Sequence, residues 1–337
     1  CGAAGATGLV VAALVAARAE EVAEVLGLHD EPDAGRKRHA RRTPLVGGLA
    51  VLAALLAGAG VWLVMVGQAS AVAAAAALPV AVSFAVGLLD DHDHVRPGWR
   101  LTSVGAFALG ATLVAPALTV PALHLPYFDF SLGLGVVAVP FTVLAYLVLL
   151  NAVNMVDGID GLATGLFLVW LGLLLPWAIV WTPHLLPAFA LAGTALAVVF
   201  VFNWRGKLFL GDAGTYGLGM AIGLLAVYLH SRAGGALPSA LVGLLFGLPV
   251  IDLLRLFVQR VRAGRHPFDP DRNHFHHWLE AAHGKRRAVA VYLMLVAVPG
   301  GVATAVPALI PAGIAVTLVA YVLVLRGAGW RLAPHRA

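Results

Sequence analysis

The chain has 337 residues, of which 61% are hydrophobic and only 12% are charged, and its mean hydropathy is +0.90. Soluble domains carry about 25% charged residues, so this composition excludes an ordinary soluble protein. The net charge of +5 comes from Lys and Arg in short loops and requires no nucleic-acid partner. Because no polar stretch is long enough for a separate soluble domain, we treat residues 1–337 as a single integral membrane domain.

Apolar segments of roughly membrane-crossing length follow one another along the chain. We count eleven, at 3–18, 45–66, 69–89, 101–118, 132–150, 162–181, 186–202, 214–230, 236–258, 288–305 and 307–325. The sequence therefore predicts an all-α polytopic membrane protein with about 11 transmembrane helices and cytoplasmic active-site loops. The first segment is short, and a cleaved signal peptide is the alternative for it. The chain begins with Cys1 in place of Met, so we expect the N-terminus to be incomplete.

The charged residues are distributed unevenly between the two faces that these segments define. Twenty of the 22 Lys and Arg residues fall in alternate loops or their flanks, and so do all acidic residues except Asp129. The positive-inside rule places that face in the cytoplasm. A basic cytoplasmic face suits anionic lipid headgroups and phosphorylated substrates.

Two of the polar clusters place carboxylates at the cytoplasmic ends of predicted helices. Asp90 and Asp91 are adjacent, so a cation or strong donors must compensate the repulsion between their charges, and Arg100 is near. The alternative to a functional pair is a solvated cap of the loop. The second cluster contains Asn154, Asp157 and Asp160 at intervals of three residues. Four such polar groups, counting Asn151, are costly near a bilayer, which favours function over a polar helix-packing motif.

The third cluster surrounds Asp212, which lies between glycines just before a predicted span. Hard divalent cations prefer carboxylate oxygens, and Mg²⁺ takes one or two of them together with substrate phosphates. Lys207 can act as a point charge for a phosphate. Simple loop geometry also explains this segment when it is considered alone.

The fourth cluster, in the loop between 259 and 287, contains His274, His276 and His277 beside Arg265 and Arg272. Three histidines within four residues could bind a transition metal, although no Cys or carboxylate completes an obvious ligand set. An arm that binds a diphosphate and a sugar explains both the Arg and the His residues. On the preceding span, Asp252 and Arg255 are one helical turn apart, which favours a structural ion pair.

Together these segments resemble the polyprenyl-phosphate N-acetylhexosamine-1-phosphate transferase superfamily (glycosyltransferase family 4). The resemblance extends from about Gly27 to Arg287 and rests on several motifs in order. They are HDEPDAGRKRHARRTPLVGG, GLLDDHD, NAVNMVDGIDGLATG, FNWRGKLFLGDAGTYGLG, PVIDLLRLFVQR and DRNHFHHWL. The histidine segment is similar to that of the branch that uses UDP-N-acetylglucosamine (UDP-GlcNAc) with undecaprenyl phosphate.

The resemblance implies transfer of GlcNAc-1-phosphate from UDP-GlcNAc to a polyprenyl (undecaprenyl or decaprenyl) phosphate, with release of UMP and with Mg²⁺ or Mn²⁺ as cofactor. Another UDP-N-acetylhexosamine or UDP-MurNAc-pentapeptide is the alternative donor, and a polytopic transporter is the alternative from another class. The partners that the resemblance implies are the UDP-sugar, the polyprenyl phosphate, the lipid bilayer and a second copy of the chain in a homodimer. The product would initiate a cell-envelope glycan.

The resemblance also implies roles for individual residues. Asp212, Asp91 and Asn154 would surround the metal, and Asp90 and Asp91 would handle the lipid phosphate, with Asp90 as the base. The remaining roles concern the nucleotide, the diphosphate, the sugar and the lipid phosphate. Asp157, Asp160 and Phe209 would line the nucleotide site, with Asp160 and Phe209 on uracil, and Lys207 would contact a phosphate. The sugar and the diphosphate would be held by Arg265, Arg272, His274, His276 and His277. The lipid phosphate would be bound by Arg36, Lys37 and His39, or these three residues would anchor their loop. This chain departs from the family pattern at His94, where an Asp is common, and at Thr215, where Ser is usual.

Overall fold

The computed structural model describes residues 1–31, 42–66, 70–125, 130–269 and 271–327. Thirteen α-helices occur in these residues. They are α1 (Gly2–Ala17), α2 (Ala19–Leu26), α3 (Gly47–Val66), α4 (Ala71–His92), α5 (Pro97–Val114), α6 (Ala138–Val156), α7 (Leu162–Trp181), α8 (Leu186–Trp204), α9 (Gly211–Ala233), α10 (Ser239–Arg262), α11 (Phe275–His283), α12 (Lys285–Ala305) and α13 (Ile310–Gly327). Arg36, Lys37 and His39 lie outside the described residues.

Two short antiparallel strand pairs are the only sheets in the described part of the chain. Strand β1 (His29–Asp30) pairs with β2 (Thr43–Pro44), and β3 (Ala122–Leu125) pairs with β4 (Phe130–Gly133). The protein is therefore a multi-pass, all-α membrane protein, as the composition predicts.

Nine helices among the described residues are long and apolar enough to cross a membrane, and the pair α1 and α2, bent by 68°, forms a tenth candidate. Helix α5 is not among them, although the sequence predicts a span at 101–118. It nevertheless connects the two ends of the bundle. Arg100 at its start pairs with Asp90 of α4, and the β3–β4 hairpin that follows it contacts the opposite end, where the amide of His124 donates to Ser239 Oγ of α10 at 3.0 Å.

Helix α9 is the centre of the bundle. In the apolar stretch of α9, 83% of the residues are buried, whereas the share is at most 44% in every other candidate span. Helices α3, α4, α6 and α7 pack around it. Close approach depends on glycine: a Cβ atom at position 87 of α4 would lie 2.3 Å from the carbonyl oxygen of Asp212. Gly87 is one helical turn before Asp90 and Asp91, so this contact brings those carboxylates to the start of α9.

Candidate active site

Three helices meet through polar side chains at the N-terminus of α9. The amides of Asp212 and Ala213 donate to the two carboxylate oxygens of Asp91 at 2.7 and 2.9 Å. The side-chain amide of Asn154 donates to Asp212 Oδ1 at 2.6 Å and to the hydroxyl of Thr215 at 3.0 Å. Because a helix N-terminus has unpaired amides and attracts negative charge, Asp91 is well held there. Thr215 still supplies the hydroxyl that the more usual Ser would supply.

Gly211 makes this arrangement possible. Its φ is +75°, a conformation that L side chains rarely adopt, and a Cβ atom there would lie 2.7 Å from Asp91 Oδ2. A larger residue would therefore strain the chain and push Asp91 away from the amides that it accepts.

Asp90 is paired rather than free. Its Oδ2 accepts from Arg100 Nη1, and its Oδ1 accepts from the amide of Val95 at 2.8 Å. The same Arg100 nitrogen lies 4.0 Å from Asp212 Oδ2. Asp90 and Asp212 therefore share one guanidinium, while Asp91 is paired with backbone amides. We call Asp90, Asp91, Asn154 and Asp212 the acidic centre.

The turn after α6 lies beside the acidic centre. Burial, together with the charges of Asp160 and Asp91, raises the pKa of Asp157 to about 7. Asp160 Oδ2 accepts from Lys285 Nζ at the start of α12. A cavity of about 230 Å³ opens at this pair. Its lining consists of Asp160, Trp204, Arg205, Gly206, Lys285 and Arg286.

Asn203, at the end of α8, joins two loops of the site. Its side-chain oxygen accepts from the amide of Gly161 at 2.7 Å, and its side-chain nitrogen donates to the carbonyl of Leu208 at 2.9 Å. Phe209 is next in the chain, and its amide donates to the carbonyl of Pro44 at 2.8 Å. The loops that carry Asp160 and Phe209 are therefore fixed relative to each other. Lys207 is exposed in the same loop, with Nζ 5.8 Å from the ring centroid of Phe202.

The three predicted histidines form a compact group at the start of α11, which we call the histidine arm (residues 274–277). The rings of His274 and His276 stack at 5.3 Å, and those of His276 and His277 lie 4.1 Å apart. His276 is 1% exposed, yet neither ring nitrogen has a hydrogen-bond partner in the described residues. A Cβ atom on Gly158 would lie 2.5 Å from His276 Nε2, so the arm packs on the Asp157–Asp160 turn.

His276 and His277 of the histidine arm are neutral at pH 7. Burial lowers the pKa of His277 to about 4, assisted by the charges of Arg272 and His274. Burial also lowers the pKa of His276, and His277 and His274 contribute in the same direction. Buried polar groups normally have partners, so an unpaired imidazole at this position is suited to accept a ligand.

The two predicted arginines of this loop have different surroundings. Arg272 lies 3.9 Å from Glu280 and close enough to His277 to lower its pKa. Arg265 is exposed, 3.5 Å from Asp269. Arg260, for which the sequence predicts no role, fixes the base of the loop by donating to Asp271 Oδ2 at 2.8 Å. Although burial raises the pKa of Asp271, this hydrogen bond holds it below its usual value.

The acidic centre fits a hard divalent cation that protein and substrate bind jointly. Asp212 keeps Oδ2 4.0 Å from Arg100 with its side chain 35% exposed, whereas both Asp91 oxygens accept backbone amides. Mg²⁺ needs only one or two protein carboxylates when phosphates complete its shell. Within the described ranges no three His, Cys, Asp or Glu side chains are arranged to bind a metal alone. The transition-metal alternative for the histidines therefore has no complete ligand set among those residues.

Comparison with known proteins identifies the family. Residues 72–230 match the sequence pattern described as glycosyl transferase family 4. The chain is 31% identical over 288 residues to the undecaprenyl-phosphate alpha-N-acetylglucosaminyl 1-phosphate transferase of Escherichia coli (strain K12), covering 83% of this chain and 76% of the relative. This chain belongs to glycosyl transferase family 4. The resemblance inferred from the motifs is thereby confirmed.

Other relatives carry similar names. The protein of the same name from Yersinia pestis is 32% identical over 83% of this chain and 76% of its own length. The decaprenyl-phosphate N-acetylglucosaminephosphotransferase of Mycobacterium leprae is 29% identical over 80% of this chain and 75% of its own length. The family pattern spans the acidic centre but ends at residue 230, before the histidine arm.

Sequence reasoning missed residues whose importance depends on long-range pairing. Asn203, Lys285 and Tyr321 each bond to a residue more than 40 positions away. Only Asn203 had a detectable signal, since an amide at the end of an apolar helix needs partners. The sequence places Arg100 near the two adjacent carboxylates, and the structure shows that it pairs with Asp90.

Proposed function

We propose that this protein transfers GlcNAc-1-phosphate from UDP-GlcNAc to a polyprenyl phosphate at the cytoplasmic face of a bacterial inner membrane, releasing UMP. One observation carries the proposal: the acidic centre and the buried His276, whose ring nitrogens have no hydrogen-bond partner among the described residues, both adjoin the Asp157–Asp160 turn. The first suits a metal with phosphates, and the second suits a neutral polar group such as a sugar. The names of the relatives support this substrate pair.

The proposed reaction is a phosphoryl transfer. An oxygen of the polyprenyl phosphate attacks the β-phosphorus of UDP-GlcNAc, the bond to the bridging oxygen breaks, and UMP leaves with that oxygen. Such reactions need positioning and neutralisation of charge more than covalent chemistry. A divalent cation, when bound, would supply a Lewis acid for the diphosphate.

Five groups of residues divide the work in this proposal. Asp212 and Asn154 would hold the cation, and Asp91 holds the start of α9 in place. Arg100, which Asp90 orients, offers its charge to the attacking phosphate. Because an ionised phosphate oxygen is already nucleophilic, Asp90 need not remove a proton. The cavity beside Asp160 takes the uridine, and the histidine arm with Arg272 takes the sugar and the diphosphate.

A donor panel tests the proposal. The purified protein is incubated with undecaprenyl phosphate, Mg²⁺ and a radiolabelled donor: UDP-GlcNAc, UDP-glucose or UDP-MurNAc-pentapeptide. We expect label in organic-extractable lipid only with UDP-GlcNAc, together with one UMP per product. Efficient use of the pentapeptide donor would contradict the assigned substrate branch. Uptake of label into sealed vesicles without lipid product would instead indicate the transporter alternative.

A second assay tests how the site is divided. Replacing His276 by Ala should weaken turnover of UDP-GlcNAc more than it weakens binding of UMP, because uridine is assigned to the cavity beside Asp160. Equal losses of donor turnover and UMP binding would show that the histidine arm does not distinguish the sugar from the nucleotide.

A further inference from the structure

A buried hydrogen-bond network joins the last helix to the histidine arm. Tyr321 on α13 donates from its hydroxyl to Asp252 Oδ1 at 2.9 Å and accepts from Arg255 Nε at 2.7 Å. Arg255 Nη2 also donates to Asp252 Oδ1 at 2.7 Å. Asp252 is 2% exposed and Tyr321 is 5% exposed, so these two groups form a largely buried unit with the partly buried Arg255.

The other side of this unit holds the start of α11. Asp252 Oδ2 accepts from the amide of Phe275 at 3.0 Å and faces His274 Nδ1 at 3.4 Å. Arg255 also donates to the carbonyl of Asn273. Residues 273 to 275 are therefore attached to α10 by their backbone, and His274 also by its ring.

The contact with Asp252 determines what the ring of His274 can offer. A carboxylate beside Nδ1 favours the tautomer that carries its proton on that nitrogen, which leaves Nε2 as an acceptor. An acceptor is what a sugar hydroxyl or an acetamido N–H requires. Because the rings of His274 and His276 stack nearly parallel, at 18°, a rotation of the first would also displace the second.

We propose that Tyr321 is a positioning residue for recognition of the donor sugar: through Asp252 it fixes the ring of His274, and with it the histidine arm. The inference rests on the proposed function. It assigns a task to α13, which lies outside residues 72–230 matched by the family pattern.

A neighbouring tyrosine provides a matched control. Both Tyr292 of α12 and Tyr321 pack their rings on Phe275, with centroid distances of 5.6 and 4.8 Å. The hydroxyl of Tyr292 is buried without a hydrogen-bond partner in the described residues, whereas that of Tyr321 belongs to the network. A Tyr-to-Phe change at either position keeps the ring contact, so only the network differs.

The test compares Tyr321→Phe with Tyr292→Phe in the whole protein, reconstituted in lipid nanodiscs. We expect Tyr321→Phe to raise the KM for UDP-GlcNAc about tenfold, the effect of one well-made hydrogen bond, with little change in the KM for undecaprenyl phosphate or in UMP affinity. Asp252 keeps Arg255 in this variant, so the thermal midpoint should stay near that of the wild type. Tyr292→Phe should match the wild type in every measurement.

A double-mutant cycle with His274→Gln shows whether Tyr321 acts through His274. We expect Tyr321→Phe to have no further effect on KM in the His274→Gln protein. Additive effects, an unchanged KM in Tyr321→Phe, or an equal loss of UMP binding would each overturn the inference while the wild type still forms lipid-linked GlcNAc. A wild type that forms no such lipid would overturn the proposed function and this inference together.

Discussion

The carboxylates of the acidic centre differ in how many of their oxygens the protein already uses. Both oxygens of Asp91 accept backbone amides, and both oxygens of Asp90 have donors. Asp212 shares one oxygen with Asn154 and keeps the other toward solvent and Arg100. A cation that arrives with the substrate therefore finds Asp212 as its most available carboxylate.

Replacing Asp212 by Asn should reduce transfer more than 100-fold without unfolding the protein, because it removes the charge that we assign to the metal and keeps the side-chain shape. Product formation is measured over a range of Mg²⁺ concentrations, together with the thermal midpoint. Asp93→Asn is the matched control, since that side chain is 95% exposed and has no assigned role. Normal turnover of Asp212→Asn at low Mg²⁺ would remove Asp212 from the metal site.

The histidine arm should make the protein sensitive to mild acid. The pKa of His277 is about 4 in the folded protein and near 6.5 when it is unfolded, so the unfolded chain binds the proton first. The contribution of His277 to the free energy of unfolding should thus be fully present above pH 6.5. The free energy of unfolding should fall by on the order of 2 kcal/mol as the pH approaches 4. Thermal midpoints of the wild type and His277→Gln across this range test the expectation. Identical pH dependence in the two proteins would contradict it.

At the residue scale, the sequence identified groups but not their pairings. Adjacent carboxylates, an Asn and Asp repeat and three histidines are visible as clusters in an apolar chain, and the structure brings those clusters to one end of the bundle. The pairing of Asp252 with Arg255 was predictable because one helical turn separates them, and it is confirmed. The contact of Asp252 with Tyr321 was not predictable, because the two residues are 69 positions apart on different helices.

The helices themselves were the most predictable part of the fold. Backbone groups in a bilayer must be bonded within the segment, so apolar length alone marks a span. The boundaries were less exact: α9 begins at Gly211 rather than at 214, because Asp91 supplies acceptors for its first amides. Helix α5 is weakly apolar and is recognised as a connection between the two ends only through its contacts.

Contact between α4 and α9 at Gly87 is a second element-scale test. Gly87→Ala would place a methyl group 2.3 Å from a backbone oxygen, which cannot move aside as a flexible side chain does. We expect α4 to shift, the carboxylates of Asp90 and Asp91 to leave the start of α9, and both activity and thermal midpoint to fall. Gly110→Ala on α5 is the control, because no atom lies within 4 Å of its added Cβ and alanine favours a helix. Equal behaviour of the two variants would show that the helix contact does not position the carboxylates.

On the scale of the whole molecule, the charges and the site lie at the same end of the bundle. The acidic centre, the cavity at Asp160 and the histidine arm all sit where α4, α6, α8 and α10 end and where α9 and α12 begin. The β3–β4 hairpin lies at the opposite end, where His230 of α9 faces the carbonyl of Ala122 at 3.3 Å. A substrate anchored in the bilayer and a soluble nucleotide can meet at an interfacial site of this kind.

The direction of the bundle in the membrane is the remaining prediction, and it follows from the excess of Lys and Arg at the end that carries the site. In a Cys1→Ser background, Asp93→Cys reports on that end and Arg232→Cys on the other; both side chains are exposed. An impermeant thiol reagent added to intact cells should label only the cysteine at 232, and inside-out vesicles should give the reverse pattern. Because the two variants share one background and one reagent, each controls for the accessibility of the other. Labelling at 93 in intact cells would place the site outside the cytoplasm, where UDP-sugars are absent, and would contradict the orientation and the proposed donor together.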